Sequence, residues 1–364
     1  MYAFRLCLVS LLCLSGSLAL PAQTSSAPAE TLPAAKETAA PAADRNIRLD
    51  ISVHSNPGQV VPTLTEQDLT LLDDSHPQTF SSFKAVLPGQ EPAEIIFVMD
   101  AANAGYSNVS YQQNQLQNFL RGAGKLPHPA TIAVLTDKGI EIQKGFSSDG
   151  AALSKILDGY SAGLRTITRS GGFWGATERL DLSLKAMGEL TAYAQTLPGR
   201  KFIVWISPGW PLLSGPRIDL DSKQQQELFN EVVAFSGQMR ASRVTLYDIN
   251  PFGLQESLLN ASYYRNFVKG VRKPGETQVG NLGLQVMAVQ TGGKTITTDN
   301  DIAKVLSECV AETNSWYEVS FPMPPAERPN EYHHLEVKVA GKAGQPALTA
   351  RTRDGYYAQP APQP

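Results

Sequence analysis

The chain has 364 residues, of which 42% are hydrophobic and 18% are charged, so it can bury a sizeable core in about two domains. Its formal net charge is −3, and no run of like charges occurs anywhere in the sequence. This composition argues against binding to nucleic acid or to an anionic membrane surface, because both need a basic patch.

The first 22 residues predict a secretory signal peptide. Arg5 precedes an apolar stretch at residues 6–14, and small residues follow, with cleavage expected near Ala19 or Ala22. The stretch is short for a spanning helix, so we expect export to the periplasm, the cell surface or the medium without membrane insertion after cleavage. An uncleaved anchor is the alternative. Residues 23–44 are rich in Ala and Pro and are predicted to form a disordered linker.

Cleavage would leave Cys309 as the remaining cysteine, so an exported domain could form no internal disulfide and would depend on its core. Cys309 recurs with Ile302, Val305 and Leu306 at helical spacing. This spacing favours a buried small hydrophobic residue over a nucleophile or an intermolecular bridge.

Residues 45–90 alternate between apolar and polar side chains. The alternation predicts a small antiparallel β segment with turns at residues 56–58 and 73–74. The apolar positions are Ile47, Leu49, Ile51, Val53, Leu69 and Leu71.

Residues 91–314 alternate between short apolar strands and helices that carry one apolar stripe each. Nearly continuous apolar runs are typical of parallel strands that are covered on both faces. The pattern predicts an open, doubly wound and mostly parallel α/β sheet. Asp137-Lys138-Gly139 predicts a hairpin that adds one antiparallel edge strand. The strands are expected at residues 95–99, 131–136, 201–207 and 243–249.

Residues 315–358 return to the two-residue period of β-strands, with Trp316-Tyr317-Glu318-Val319-Ser320-Phe321 as the first strand. This C-terminal β segment and residues 45–90 are each too small to bury a core alone. We therefore expect the two segments to pack together, so that the α/β sheet is inserted in a small antiparallel β-sandwich-like module.

Several short stretches occur in a fixed order along the chain: residues 47–53, 64–69, Pro77-Gln78 ahead of Phe83, 95–100 with Asn103, 201–209, 291–293 and 353–358. With these stretches in this order, the chain resembles the von Willebrand factor A domain and, more narrowly, the VWFA-related proteins of acidobacteria. The resemblance implies helices on both faces of the sheet and a ligand-binding rim at the carboxyl ends of the strands.

In family members that bind Mg²⁺, a D-x-S-x-S loop, a distant threonine and a distant aspartate surround the ion. Here Asp100 matches the first aspartate, but Ala102 and Ala104 replace the serines and offer no oxygen. The resemblance therefore implies a degenerate metal site, and we predict no cofactor, with Asp100 as a weak candidate ligand. We expect Asp100 to anchor its own loop through hydrogen bonds or to cap the helix that follows. Asn103, Ser107 and Ser207 could substitute as metal ligands.

Catalytic motifs are missing from the sequence. None of the five histidines has the spacing of a helical zinc pair, and surface positions are expected for them. Ser207 follows a strand, but Trp205 occupies the first glycine position of a nucleophile elbow. We predict that the protein is not an enzyme; the alternative is an unrecognised hydrolase that uses Ser207, Asp100 and His128.

Aromatic residues stand beside glycines where the rim loops are expected. Phe173 and Trp174 lie between Gly172 and Gly175, and Trp210 follows a predicted strand end. They could pack over the sheet or form an exposed patch for a protein partner. The prediction is an exported, non-catalytic interaction or adhesion module that binds a protein or peptide without Mg²⁺. A metal-dependent adhesin with substituted ligands is a further alternative. The predicted binding rim comprises Asp100, Asn103, Ser107, Phe173, Trp174, Ser207 and Trp210.

Overall fold

The computed structural model describes residues 46–55, 63–160, 171–211, 213, 220–251, 263–297, 301–341 and 347–360. The predicted signal peptide, the linker and the turn at residues 56–58 lie outside the described residues. None of the described helices is long and apolar enough to cross a membrane.

Within these ranges the chain forms β-strands and α-helices in the following order. The strands are β1 (Asn46–His54), β2 (Leu69–Asp73), β3 (His76–Gln78), β4 (Ser82–Val86), β5 (Ala93–Asp100), β6 (Lys125–Thr136), β7 (Gly139–Ile142), β8 (Ser147–Asp149), β9 (Arg200–Ile206), β10 (Val244–Ile249), β11 (Thr295–Ile296), β12 (Trp316–Pro322), β13 (Glu331–Val339), β14 (Thr349–Arg351) and β15 (Gly355–Ala358). The helices are α1 (Tyr106–Ala123), α2 (Gly150–Tyr160), α3 (Gly172–Gln195), α4 (Ser222–Ala241), α5 (Leu284–Gln290) and α6 (Ile302–Ala311).

A mostly parallel sheet forms the centre, with the strand order β11-β10-β9-β5-β6-β7 and with β8 paired to β6. Strands β5, β6, β9, β10 and β11 are parallel, whereas β7 and β8 are antiparallel to β6. Helices α1, α2 and α6 cover one face and α3, α4 and α5 cover the other, which explains why every residue of β9 is buried. The mixed α/β class with a mostly parallel central sheet is confirmed. The Asp137-Lys138-Gly139 turn joins β6 to β7, with Thr136 paired to Gly139.

Two antiparallel sheets enclose a separate apolar core. Their strand orders are β14-β1-β12-β4 and β15-β13-β2-β3, so each sheet contains strands from both ends of the described chain. Inward-facing residues such as Ile51, Leu71 and Phe321 are fully buried between them. The central sheet and its helices lie in the sequence between β4 and β12, two strands that pair with each other.

Charged side chains join the antiparallel sheets to the central sheet. Arg200, at the start of β9, donates a hydrogen bond of 3.2 Å from Nη2 to the Ser52 hydroxyl of β1. Its guanidinium also lies 5.4 Å from the ring centre of Trp316 in β12. Arg243 donates hydrogen bonds to Asp50 of β1 and to Glu318 of β12. These contacts connect β1 and β12 of the antiparallel sheets to the amino ends of β9 and β10.

Candidate binding rim

Asp100 ends β5 at the carboxyl edge of the central sheet, and its carboxylate is fully buried and hydrogen-bonded. Oδ1 accepts a hydrogen bond of 2.9 Å from the Asn103 backbone N–H. Oδ2 accepts hydrogen bonds from Asn103 Nδ2 at 2.9 Å, Ser207 Oγ at 2.8 Å and Trp205 Nε1 at 3.3 Å. Burial raises the pKa of Asp100, and these four hydrogen bonds oppose that rise. Asp100 therefore anchors the loop that follows it.

The loop between β5 and α1 consists of small residues because it runs through a crowded space. The N–H groups of Ala101 and Ala102 both donate to the Leu135 carbonyl oxygen, at 2.9 and 3.1 Å. Ala102 is buried against the α3 side of the sheet and Ala104 against the α1 side. Asn103 reaches α3, where its Nδ2 donates to Ser183 Oγ at 2.9 Å. The loop is thus held by β5, β6 and α3 at once.

The polar atoms around Asp100 are not arranged to coordinate a magnesium ion, which needs a near-octahedral shell of oxygen ligands. Both oxygens of Asp100 already accept hydrogen bonds, and Asn103 turns its amide nitrogen toward that carboxylate. The Ser207 hydroxyl donates to Asp100 and accepts from the Gly209 N–H at 3.0 Å. The alanine methyl groups at the two serine positions are part of the packed core. A metal ion here would have to displace most of these hydrogen bonds.

A second buried carboxylate lies on the same face of the sheet. Asp248 is the penultimate residue of β10 and pairs in register with Trp205 of β9. Neither of its oxygens makes a hydrogen bond of normal geometry among the described residues, although the Thr295 hydroxyl is near enough to lower the pKa somewhat. Burial raises the pKa of Asp248 to about 8, and the charge of Asp100 contributes to the rise. Sequence reasoning missed Asp248; its one signal was a carboxylate inside the apolar run of β10.

The three predicted aromatic residues have different surroundings. Trp174 is 70% exposed and Phe173 is 38% exposed, and their ring centres are 6.1 Å apart in an edge-to-face arrangement. Trp210 is only 5% exposed and packs edge-on against Trp205 at 5.4 Å. The expectation of Trp210 as a binding residue is therefore wrong, because its ring completes the core over β9. Phe173 and Trp174 form the exposed part.

The other predicted rim residues also divide by exposure. Asp100 and Ser207 are fully buried and face each other, so they support the edge and cannot touch a partner. This corrects their prediction as contact residues. Asn103 is partly buried and holds the loop to α3, and Ser107, in the first turn of α1, is exposed. The structure thus leaves Ser107, together with the aromatic pair, as an accessible member of the predicted set.

Exposed apolar side chains are concentrated at this edge. Four large hydrophobic residues are exposed in the described part of the chain, namely Leu87, Tyr106, Phe173 and Trp174. Tyr106 is the first residue of α1, and the aromatic pair lies in the first turn of α3. Both helices run from the carboxyl edge of the sheet toward its amino edge, because each is followed by a parallel strand. Three of the four exposed residues are therefore at the carboxyl edge, and the sequence analysis did not identify Tyr106.

Helix α3 extends beyond the sheet. Ser183 of α3 contacts Asn103 at the level of the carboxyl edge. Trp174 precedes Ser183 by nine residues, which corresponds to about 14 Å along a helix axis. The first turns of α3 therefore carry the aromatic pair past the loops that contain Asp100 and Ser207.

The structure separates the residues of the hydrolase alternative. Asp100 pairs in register with Leu135 of β6, and His128 precedes Leu135 by seven residues, or about 23 Å along a strand. His128 is buried near the amino edge, where its Nε2 lies 3.0 Å from the Thr313 carbonyl oxygen. The Ser207 hydroxyl is buried and fully hydrogen-bonded. These three residues therefore do not form a catalytic set.

The expectation of surface histidines is also wrong for His333, which points into the core of the antiparallel sheets. Its Nδ1 lies 2.9 Å from Asp73 Oδ1, and Tyr356 donates to Asp73 Oδ2 at 2.6 Å. Asp73, Asp74 and His333 are, within the described ranges, a group close enough to share a metal ion. However, Asp73 is occupied by His333 and Tyr356, and Asp74 accepts a hydrogen bond from Arg272 at 2.7 Å. This group is a buried polar network that closes one end of the core.

Comparison with solved structures finds similar folds at low sequence identity. Proximal thread matrix protein 1 from the mussel byssus is 14% identical over 66% of this chain and 50% of that chain, with a TM-score of 0.37. The manganese-loaded TRAP protein of Plasmodium vivax is 11% identical over 76% of this chain and 98% of that chain, with a TM-score of 0.35. The von Willebrand factor type A structure from Catenulispora acidiphila is 9% identical over 86% of this chain and 75% of that chain, with a TM-score of 0.33.

The chain therefore spans about half the length of the mussel protein that it matches. Likenesses this distant carry no argument about function. No protein-family model matches the sequence, and no curated protein matches it.

Proposed function

We propose that the chain is an exported, non-catalytic module that binds a protein or peptide through the carboxyl edge of its central sheet, without Mg²⁺. The observation that carries this proposal is the position of Tyr106, Phe173 and Trp174, which expose large apolar surfaces at the starts of α1 and α3. Export is supported by the signal-like residues 1–22. A von Willebrand factor A-like domain with a degenerate metal site is part of the proposal and is supported by the sequence resemblance.

Aromatic side chains at this position suit a protein interface. Tryptophan and tyrosine dominate interface hot spots because they bury a large area with little loss of side-chain freedom. Fully burying one large apolar side chain contributes roughly 1.5–3 kcal/mol. Trp174 is 70% exposed, so a partner that covers it gains most of that contribution. The projecting start of α3 also makes the aromatic pair accessible to a convex or extended partner.

Independence from Mg²⁺ is supported by the hydrogen bonds that the Asp100 carboxylate already accepts. Its oxygens hold the loop of Asn103 and the hydroxyl of Ser207. In the metal-dependent alternative, Asp100, Asn103 and Ser207 would have to give up these hydrogen bonds to coordinate the ion. Asp100 would then be the single carboxylate ligand. We therefore expect partner binding to be insensitive to a chelator.

The test is retention of partners from the exported fraction on the immobilised protein. We compare the wild type with a Phe173→Ala, Trp174→Ala double variant, and Leu87→Ala is the matched control because Leu87 is an exposed large apolar residue away from this edge. The expected result is a protein that the wild type and Leu87→Ala retain, with or without EDTA, and that the double variant loses. Equal retention by the double variant, or no protein retained by the wild type, contradicts the proposal. Loss of the protein in EDTA supports the metal-dependent alternative instead.

A further inference from the structure

A cavity of about 230 Å³ lies at the amino edge of the central sheet, far from the aromatic surface. It is formed where β1 passes the junction between α4 and β10. Its polar wall includes Arg48, Asp50, Arg240, Arg243, Thr245 and Arg353. Four guanidinium groups thus share one small cavity with a single carboxylate.

Carboxylates nearby do not balance these charges. Asp50 pairs with Arg243 and, at 3.8 Å, with Arg200, which lies behind the cavity. Glu318 pairs with Arg243 at 2.9 Å and also with Arg48. Glu91 adds a third carboxylate at 3.7 Å from Arg243, and it also pairs with Lys84. Five guanidinium groups therefore face three carboxylates, and each of these carboxylates is already paired.

Arg240 and Arg353 carry the excess charge. Within the described ranges neither side chain makes an ion pair or a hydrogen bond, and Arg353 is only 8% exposed. Burial and the positive charge of Arg240 together lower the pKa of Arg353 to about 10. Burial likewise lowers the pKa of Arg240. A buried charge without a partner is costly, so the buried Arg353, with the half-buried Arg240 beside it on one cavity wall, indicates a missing anion.

The backbone at Arg243 supports the view that this wall is a built site. Arg243 follows the last turn of α4 with a φ of 51°, in the left-handed region where glycine is usual. Its N–H donates to the Arg240 carbonyl oxygen at 3.0 Å, and its Nε donates to Asp50 at 3.2 Å. Arg243 thus combines an unusual backbone conformation with a guanidinium that keeps the Asp50 carboxylate occupied. Such strain persists where the surrounding structure determines it, often at functional sites.

Two features oppose an anion, namely Asp50 and the carbonyl end of α4, whose dipole is negative. The positive charge of the guanidinium groups outweighs both features, because Asp50 is already paired and several guanidinium groups lie near the end of α4. Thr245 adds a polar contact: its Oγ1 accepts a hydrogen bond from Arg200 at 3.1 Å, which leaves its own hydrogen to donate.

We propose that this cavity binds a small, doubly charged oxyanion through the free guanidinium forks of Arg240 and Arg353. Guanidinium forks bind phosphate and carboxylate oxygens in pairs, so the ligand is a phosphate group or a short dicarboxylate. The volume is below the usual range for drug-sized ligands, which limits the occupant to a small metabolite or a headgroup. This site is at the opposite edge from the proposed partner surface and does not depend on it.

Calorimetric titration of the full chain tests the proposal, with inorganic phosphate and succinate as separate ligands at constant ionic strength in chloride. We expect saturable binding of at least one anion by the wild type. Arg240→Gln should weaken it by about tenfold or more, because a charge-assisted pair is lost. Arg121→Gln is the matched control, since Arg121 lies in the last turn of another helix and is exposed. It should bind as the wild type does.

Arg353→Lys is the second variant, because it keeps the charge and loses the fork. It should also weaken binding while near-UV circular dichroism shows a native fold; if it does not fold, Arg240→Gln decides. Saturation by phosphate alone identifies a phosphate ligand, and saturation by succinate alone identifies a dicarboxylate. Absence of saturable binding to both, or equal binding by Arg240→Gln, overturns the proposal.

Discussion

Two buried aspartates on one face of the central sheet have opposite surroundings. Asp100 accepts four hydrogen bonds, whereas Asp248 has no hydrogen bond of normal geometry in the described part of the chain. Trp205 lies between them, paired with Asp248 in register and donating to Asp100. A carboxylate that lacks donors is more stable as the neutral acid. Asp248 is therefore protonated at neutral pH.

This protonation makes stability depend on pH in a predictable direction. The pKa of Asp248 is about 8 in the folded protein against 3.8 for an unperturbed aspartate, so the folded state binds the proton more tightly. Its contribution to stability is fully present below pH 3.8 and is lost as the pH rises through about 8. Where the two states differ fully in protonation, the loss is about 1.4 kcal/mol per pH unit.

Asp248→Asn should remove this dependence. We expect the free energy of unfolding of the variant, relative to the wild type, to rise with pH up to about 8 and then to stay constant. Urea denaturation at a series of pH values measures the difference. His54 titrates oppositely, because burial lowers its pKa to about 4, but it is common to both proteins and cancels. Parallel stability curves for the two proteins would rule out the assignment.

At the scale of single elements, α3 shows why two tryptophans beside glycines have different roles. Trp174 lies in the first turn of α3, beyond the edge of the sheet, and Trp210 lies on Trp205. Both tryptophans have glycine neighbours in the sequence, so their local sequences look alike. Whether such a ring is buried depends on how far its helix projects beyond the sheet. The periodicity of the sequence does not predict this length.

Substitution of each tryptophan should separate the two roles. Trp174→Ala should change the free energy of unfolding by no more than about 0.5 kcal/mol, because the ring is mostly in water. Trp210→Ala should cost about 3–5 kcal/mol, because it leaves a cavity over β9. Chemical denaturation of both variants measures the difference. A loss of several kcal/mol in Trp174→Ala would show that its ring supports the fold.

Strands β5, β6, β9 and β10 and the helices of the central sheet could be predicted because their apolar patterns are local, whereas the short strands β8 and β11 were missed. The hairpin at Asp137-Lys138-Gly139 is predictable for the same reason, since the turn residues are adjacent. The arginine cavity was not predictable. Arg48, Arg240 and Arg353 are separated by up to about 300 positions in the chain, and only the pairing of distant strands brings them together. Asp248 was missed because one carboxylate does not alter an apolar run.

At the scale of the whole molecule, Arg45–Pro364 forms one compact unit. Asp50 of β1 is a main link within it, since it lies between Arg200 and Arg243 from the central sheet. Burial alone would raise the pKa of Asp50, but the charges of Arg200 and Arg243 lower it overall. The carboxylate therefore stabilises the fold above its unfolded pKa of 3.8, and this contribution is lost as the pH falls through its folded pKa.

Asp50→Asn should weaken the whole unit in one step. Removing one member of a buried ionic cluster costs about 3 kcal/mol, because the remaining charges lose their partner. We expect a single calorimetric transition at a lower temperature for both sheets together. Asp137→Asn is the control, since Asp137 is exposed in a turn, and it should leave the transition unchanged. Two separate transitions in the wild type would contradict the view of one cooperative unit.

The direct pairing of Val86 with Trp316 has a consequence for how such a protein can change. From the viewpoint of the antiparallel sheets, everything between these two residues is the connection of one hairpin. A longer connection raises the entropic cost of closing the hairpin only slightly, by about 0.6 kcal/mol of free energy for each doubling of its length. In evolution, the inserted domain could therefore be replaced by another without any change in the pairing of β4 with β12. The new domain would need to supply a cation for Asp50.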